Sequence, residues 1–262
     1  MLRFGAREGS RHDAQNRLGR GNNRCVADRG MGDKSVIPNR LLPWLALLSG
    51  ALAIGAFIGA WPPAWAFLFK PLTTLLVIGF AWPRGRAQPK QRRFVRIGLV
   101  LSLLGDIALL WPAEGFLPGL VAFLLAHLAY IAAFCVPVRV AARPLVFVAY
   151  AAAAALILSQ LWAGVPGALR APVLAYVLCL ATMAAQAGVW WRVAAGRADA
   201  VLARHAAIGG LLFMVSDSLL AINKFAPPLP FSPLWILLTY WVAQGFIAAS
   251  LLHPLEEARE TA

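Results

Sequence analysis

From Leu41 onward, long apolar runs alternate with short breaks that carry proline, glycine or charge. Each run is close to the roughly 20 residues that a helix needs to cross a hydrocarbon core. Eight spans are predicted, at about 41–60, 64–82, 95–111, 116–136, 144–162, 171–191, 204–223 and 231–252. Trp61-Pro62-Pro63 closes the first, and Pro112-Ala113-Glu114-Gly115 turns the third into the fourth. The expected fold is all-α, a polytopic membrane helix bundle. It is framed by a basic N-terminal arm over 1–40, which has no apolar period and is expected to be disordered, and a polar tail over 253–262.

Composition agrees with that pattern: 60% of residues are hydrophobic, 13% are charged, and the mean hydropathy is +0.69. The net charge of +13 suggests a nucleic-acid partner until the basic residues are placed. Arg84, Arg86, Lys90, Arg92, Arg93 and Arg96 lie between spans two and three. Arg139 and Arg143 follow span four, and Arg192, Arg197 and Arg204 follow span six. The opposite side has only Arg170 and Lys224. This alternation is the positive-inside bias. It predicts eight spans with both termini cytoplasmic, in a protein embedded in membrane, expected in the bacterial plasma membrane, with no nucleic-acid partner. Cys25, Cys135 and Cys179 are isolated and form no zinc spacing.

Two carboxylates interrupt the apolar runs, Asp106 in LLGDIALLW and Asp217 in LLFMVSDSLLA. Asp106 has no cation within four residues on either side, so no local ion pair neutralises it. An acid at membrane depth is costly, about 2.5–3.5 kcal/mol on insertion scales, and marks a functional-site hypothesis. With the predicted orientation both acids lie in the outward half of the bilayer. Lys70 lies in the same half, as counter-ion to either acid or snorkelling to the interface. Two converging carboxylates tend to hold one proton between them and so offer an acid and a base together. The alternative reading is that each acid only locks a helix to a neighbour through Lys70, Ser102 or Ser216.

His127 is a proton shuttle or a structural hydrogen bond, and Tyr240 and Gln244 lie one turn apart on one helical face. Asn223 and Lys224 close span seven, where a phosphate could be met. The ten tryptophans mainly mark span ends as interface anchors. A short internal match is also visible. Asp106 is followed by a proline-bearing turn and His127, and Asp217 by a proline-rich turn and Tyr240, which suggests parallel repeats.

The segments LLGDIALLW, GLVAFLLAHLAYIAAF and LLFMVSDSLLAINKF, with Lys70-Pro71-Leu72-Thr73-Thr74 upstream, resemble the YhhN family of membrane proteins over about 41–252. Its characterised members are lysoplasmalogenases, which hydrolyse the alkenyl ether of lysolipids. The resemblance carries over Gly105-Asp106, His127 and Ser216-Asp217, with Lys70 as a further match. It implies an intramembrane ether hydrolase that releases a fatty aldehyde and a glycerophospho head group. Asp106 and Asp217 would be catalytic, with Lys70, His127 and Ser216 binding substrate or supporting the acids; Asn223, Tyr240 and Gln244, read from their positions alone, are further candidates for the same roles. The implied substrate is a membrane lysolipid, and the chemistry requires no metal or organic cofactor. The competing class is a proton-coupled transporter in which the buried Asp, Lys and His form an ion relay.

Overall fold

The structure, a computed structural model, describes residues 40–253; residues 1–39 of the N-terminal arm and 254–262 of the polar tail lie outside them. Eight α-helices follow one another: α1 (Leu42–Phe57), α2 (Ala64–Ala81), α3 (Pro89–Ala108), α4 (Phe116–Phe134), α5 (Pro144–Leu161), α6 (Gly167–Val193), α7 (Ala200–Phe225) and α8 (Ser232–Ala249). No strand occurs among the described residues. Proline stands in the first turn of α1, α3, α5 and α8, where its fixed φ suits the helix and its missing N–H has no intrahelical partner to lose.

Six of these helices are long and apolar enough to cross a membrane. The other two are α1, which has 16 residues, and α3, whose first two turns hold Lys90, Arg92, Arg93 and Arg96. α3 therefore begins six residues before the apolar run at Val95. Hydropathy marks where lipid begins, whereas arginine and lysine are good helix formers and extend the helix beyond that point. α7 likewise starts at Ala200, ahead of Arg204.

The bundle is apolar on its outside. Leu145, Trp44 and Leu156 stand 81%, 70% and 65% exposed, a surface that only lipid would cover, and the chain is an integral membrane protein. The buried set instead includes Lys70, Thr73, Thr74, Ser102, Asp106, His127, Ser216 and Gln244. Trp61, Trp82, Trp111 and Trp191 are exposed at helix ends, as interface anchors would be. Trp190 and Trp241 depart from that pattern; both are buried, and their indole N–H groups donate to Asp199 and Thr74 at 2.8 and 3.2 Å.

Helices pack through small residues, as expected where lipid supplies no hydrophobic drive. α3 presents Gly98, Ser102 and Gly105 to α4. A Cβ on Gly98 would lie 2.3 Å from Tyr130 Cε1, and one on Gly105 2.5 Å from Phe123 Cε2. This close approach gives the Gly105-Asp106 pair its physical meaning: the glycine admits the Phe123 ring, and the next residue is carried into the bundle. Gln186 of α6 fastens the α4–α5 connection. Its amide donates towards the carbonyls of Phe134, Val138 and Arg139 at 3.3–3.4 Å, and its oxygen accepts from Ala141 N at 3.2 Å.

Candidate active site

Asp106 emerges near the end of α3, 1% exposed, and each of its oxygens is occupied. Oδ2 accepts from Thr74 Oγ1 of α2 at 2.6 Å and from Tyr240 OH of α8 at 2.8 Å. Oδ1 faces Lys70 Nζ at 3.8 Å. Thr74 lies one turn after Lys70, so one face of α2 delivers both the hydroxyl and the cation. The Tyr240 hydroxyl accepts from Gln244 Nε2 at 3.2 Å, and Gln244 Oε1 accepts from Tyr130 OH at 2.7 Å. Every group facing Asp106 is thus a donor or a cation, the setting of an ionised carboxylate.

Asp217 of α7 is set differently. Oδ2 accepts a hydrogen bond from Tyr176 OH of α6 and lies 4.0 Å from His127 Nε2 of α4. His127 is fully buried, its ring packed edge-on against Tyr176 and Phe213, and neither of its nitrogens has a hydrogen-bond partner among the described residues. No cation stands in salt-bridge reach of Asp217 there, apart from that histidine when protonated.

The two settings correspond part by part. Each aspartate is met by a hydroxyl from the helix before its own, Thr74 for Asp106 and Tyr176 for Asp217. Each is also met by a ring from the last helix of the opposite half: Tyr240 serves Asp106, and His127 lies beside Asp217. The short match seen in the sequence therefore reappears as an exchange of partners between halves. The correspondence breaks at two places: Tyr240 donates a hydrogen bond to Asp106 whereas His127 makes none to Asp217, and the counter-ions differ. One turn ahead of Thr74 stands Lys70, and one turn ahead of Tyr176 stands Pro172, so only Asp106 has a lysine counter-ion.

Both acids line one cavity of about 220 Å³, together with Lys70, Ser216, Asn223, Lys224 and Tyr240. The expected convergence on one void is present, with a correction: no hydrogen bond joins the two carboxylates, and each is held by its own partners. Two supporting residues are partly committed to the fold. The Ser216 hydroxyl donates to Ile236 O at 2.9 Å, tying α7 to α8. Asn223 Oδ1 accepts from Leu229 N at 3.1 Å, holding the α7–α8 turn, with its amide nitrogen left over. Lys224 stands at the end of α7 with Nζ 4.8 Å from the Phe116 ring centre.

Thr74 and Tyr176 were not among the candidates. The first was within reach, since it repeats Lys70 at i+4. The second had no local signal, because a tyrosine in an apolar run reads as interface or core until the fold brings it to Asp217. Among the described residues no group of three or more His, Cys, Asp or Glu side chains is placed to hold a metal ion.

Fold and site together define an α-helical membrane protein with a buried two-carboxylate centre. The chain belongs to the YhhN family, whose model matches residues 65–251. It is 36% identical over 192 residues to human lysoplasmalogenase TMEM86B, covering 72% of this chain and 76% of that one. It is 35% identical over 189 residues to human lysoplasmalogenase TMEM86A, covering 67% and 72% respectively. A lysoplasmalogenase of Mycobacterium bovis is 33% identical over 171 residues, covering 61% of this chain and 59% of that one. No solved structure gives a significant match.

Proposed function

We propose that the protein is an intramembrane hydrolase of the alkenyl ether bond of lysoplasmalogen-type lysolipids. The observation that carries this reading is the unequal setting of two buried acids on one cavity, in a chain whose relatives are named lysoplasmalogenases. In the proposed topology α1 and α3 also cross the membrane, giving eight spans. Both termini lie on the side of the arginine-rich connections, and the cavity lies toward the opposite face.

A vinyl ether, R–CH=CH–O–R′, is cleaved by protonating the alkene carbon that bears R. The positive charge that develops is shared by the adjacent carbon and the ether oxygen, and water adds to that carbon. The resulting hemiacetal collapses to R–CH2–CHO and HO–R′, so one water is consumed and the proton is returned. Asp217, without a lysine counter-ion, holds the proton and delivers it. Tyr176 stabilises the carboxylate that is left. Asp106, ionised against Lys70, Thr74 and Tyr240, faces the developing cation and accepts the proton of the attacking water. His127, with Nε2 4.0 Å from Asp217 Oδ2, steadies the Asp217 carboxyl. Lys224 and the Asn223 amide, at the outer end of the cavity, take the phosphate of the head group.

The test is aldehyde release from 1-alkenyl-glycerophosphocholine by purified protein in detergent micelles. Turnover is expected for the wild type, with losses of 10²–10⁴-fold per folded molecule for Asp217→Asn and Asp106→Asn. A carrier needs two compartments and gives no turnover in micelles, so an inactive wild type would favour the transporter reading.

A further inference from the structure

A second void also meets Asp217. It is an apolar slot between α4, α5, α6 and α7, walled by side chains that include Leu120, Ala154, Leu158, Ala181 and Ala221. Its free space is about 80 Å³ against about 220 Å³ in the polar cavity, so it is narrow. Along α7 it reaches from Met214 to Phe225, about 16 Å of helix rise. Leu109, Phe116, Phe123, Leu220 and Asp217 border both voids, and Asp217 is the one polar residue among them. Tyr176 and Ser218, the other polar residues of the slot, have their hydroxyls engaged, the first with Asp217 and the second with Met214 O at 2.7 Å. No other side chain lining the slot carries a hydrogen-bonding group. On its outer side the slot is only one helix from lipid, because α5 buries just Ala154 and Leu161.

We infer that this slot is the subsite for the hydrocarbon chain of the substrate, a deepening that rests on the hydrolase reading above. A lysolipid with its phosphate near Lys224 and its chain in the slot has its alkenyl carbons at the junction, beside Asp217. The carbon to be protonated is the one attached to the chain, so it lies on the slot side, where Asp217 stands and Asp106 does not. The slot acts by alignment. A chain leaving lipid for a protein void gains little hydrophobic free energy, since lipid tails are as apolar as leucine. A misplaced reacting carbon, in contrast, lowers the rate about a hundredfold per ångström. Obstructing the slot is therefore expected to change kcat on long chains and leave short ones alone.

The experiment compares hexadecenyl and butenyl glycerophosphocholine as substrates of the full-length protein in micelles. Wild type is expected to cleave both. Ala181→Phe and Ala221→Phe are expected to lose at least tenfold on the hexadecenyl substrate and to stay within about twofold on the butenyl one, whose turnover also reports folding. Equal rates on both chains in these variants would overturn the inference. Leu158→Ala widens the slot, and a methyl-branched chain is then expected to gain at least fivefold relative to the straight one; no gain overturns it even where the phenylalanine variants misfold. A non-cleavable alkyl lysolipid with a diazirine on its chain separates the two claims. Crosslinks on the slot faces of α5 and α7 are expected whether or not the wild type turns over. Crosslinks confined to lipid-facing positions such as Leu156 would sink the subsite while leaving the hydrolase reading intact.

Discussion

The Lys70–Asp106 pair is where the two halves of the site part company, and its removal has a calculable effect. At 3.8 Å, with the side chains 5% and 2% exposed, the attraction is about 4 kcal/mol at an effective dielectric near 20. Lys70→Met keeps the length of the side chain and deletes the charge. Asp106 then faces only Thr74 and Tyr240, and breaking a buried pair from one side typically costs about 3–5 kcal/mol. The two remaining hydrogen bonds place the expected loss at the lower end, about 3 kcal/mol. That corresponds to a fall in Tm of about 6–12 °C for a chain of this size. The double variant Lys70→Met/Asp106→Asn removes both charges and is expected to recover most of that loss, while remaining inactive. Thermal unfolding in one detergent, followed by tryptophan fluorescence for the wild type, both singles and the double, completes the cycle. A Lys70→Met protein as stable as wild type, or a double variant no more stable than the single, would refute the pairing of these charges.

Three further outcomes follow from the same geometry. Tyr176→Phe deletes the one hydroxyl that donates to Asp217 and is expected to lower kcat about 10–100-fold with little change in KM, as steady-state kinetics would show. Gly105→Ala places a methyl against Phe123 and is expected to destabilise the protein by about 1–3 kcal/mol, read as a lower Tm. Gln186→Ala releases the α4–α5 connection and is expected to cost about 1–3 kcal/mol in stability, with kcat within about twofold of wild type, because this side chain touches neither acid.

Different parts of the molecule were legible in the sequence for different reasons. The helices were readable because lipid imposes a length on each apolar run, and because proline and glycine punctuate the breaks. The start of α3 was not, since the six residues from Pro89 to Phe94 leave the apolar pattern while still favouring the helix. Asp106 and Asp217 stood out because a carboxylate in an apolar run has to be explained. Tyr176 and Thr74 did not, since hydroxyl-bearing residues are tolerated at that depth without a partner in view. The direct sharing of one proton was the natural expectation from two acids alone. The fold instead gives each acid its own partners: two hydroxyls and a lysine for Asp106, and one hydroxyl with a histidine 4.0 Å away for Asp217. The slot was invisible for a further reason: Ala181 and Ala221 read the same whether they face a void, a neighbouring helix or lipid.

The central claim is that a carbon atom of the substrate is protonated. Running the reaction in D2O and recording the mass of the trapped aldehyde tests it most directly. The account predicts one deuterium on the carbon next to the aldehyde group in every turnover, with no oxygen from H2(18)O entering the glycerol hydroxyl. An aldehyde without that deuterium, or a head group carrying the labelled oxygen, would contradict it.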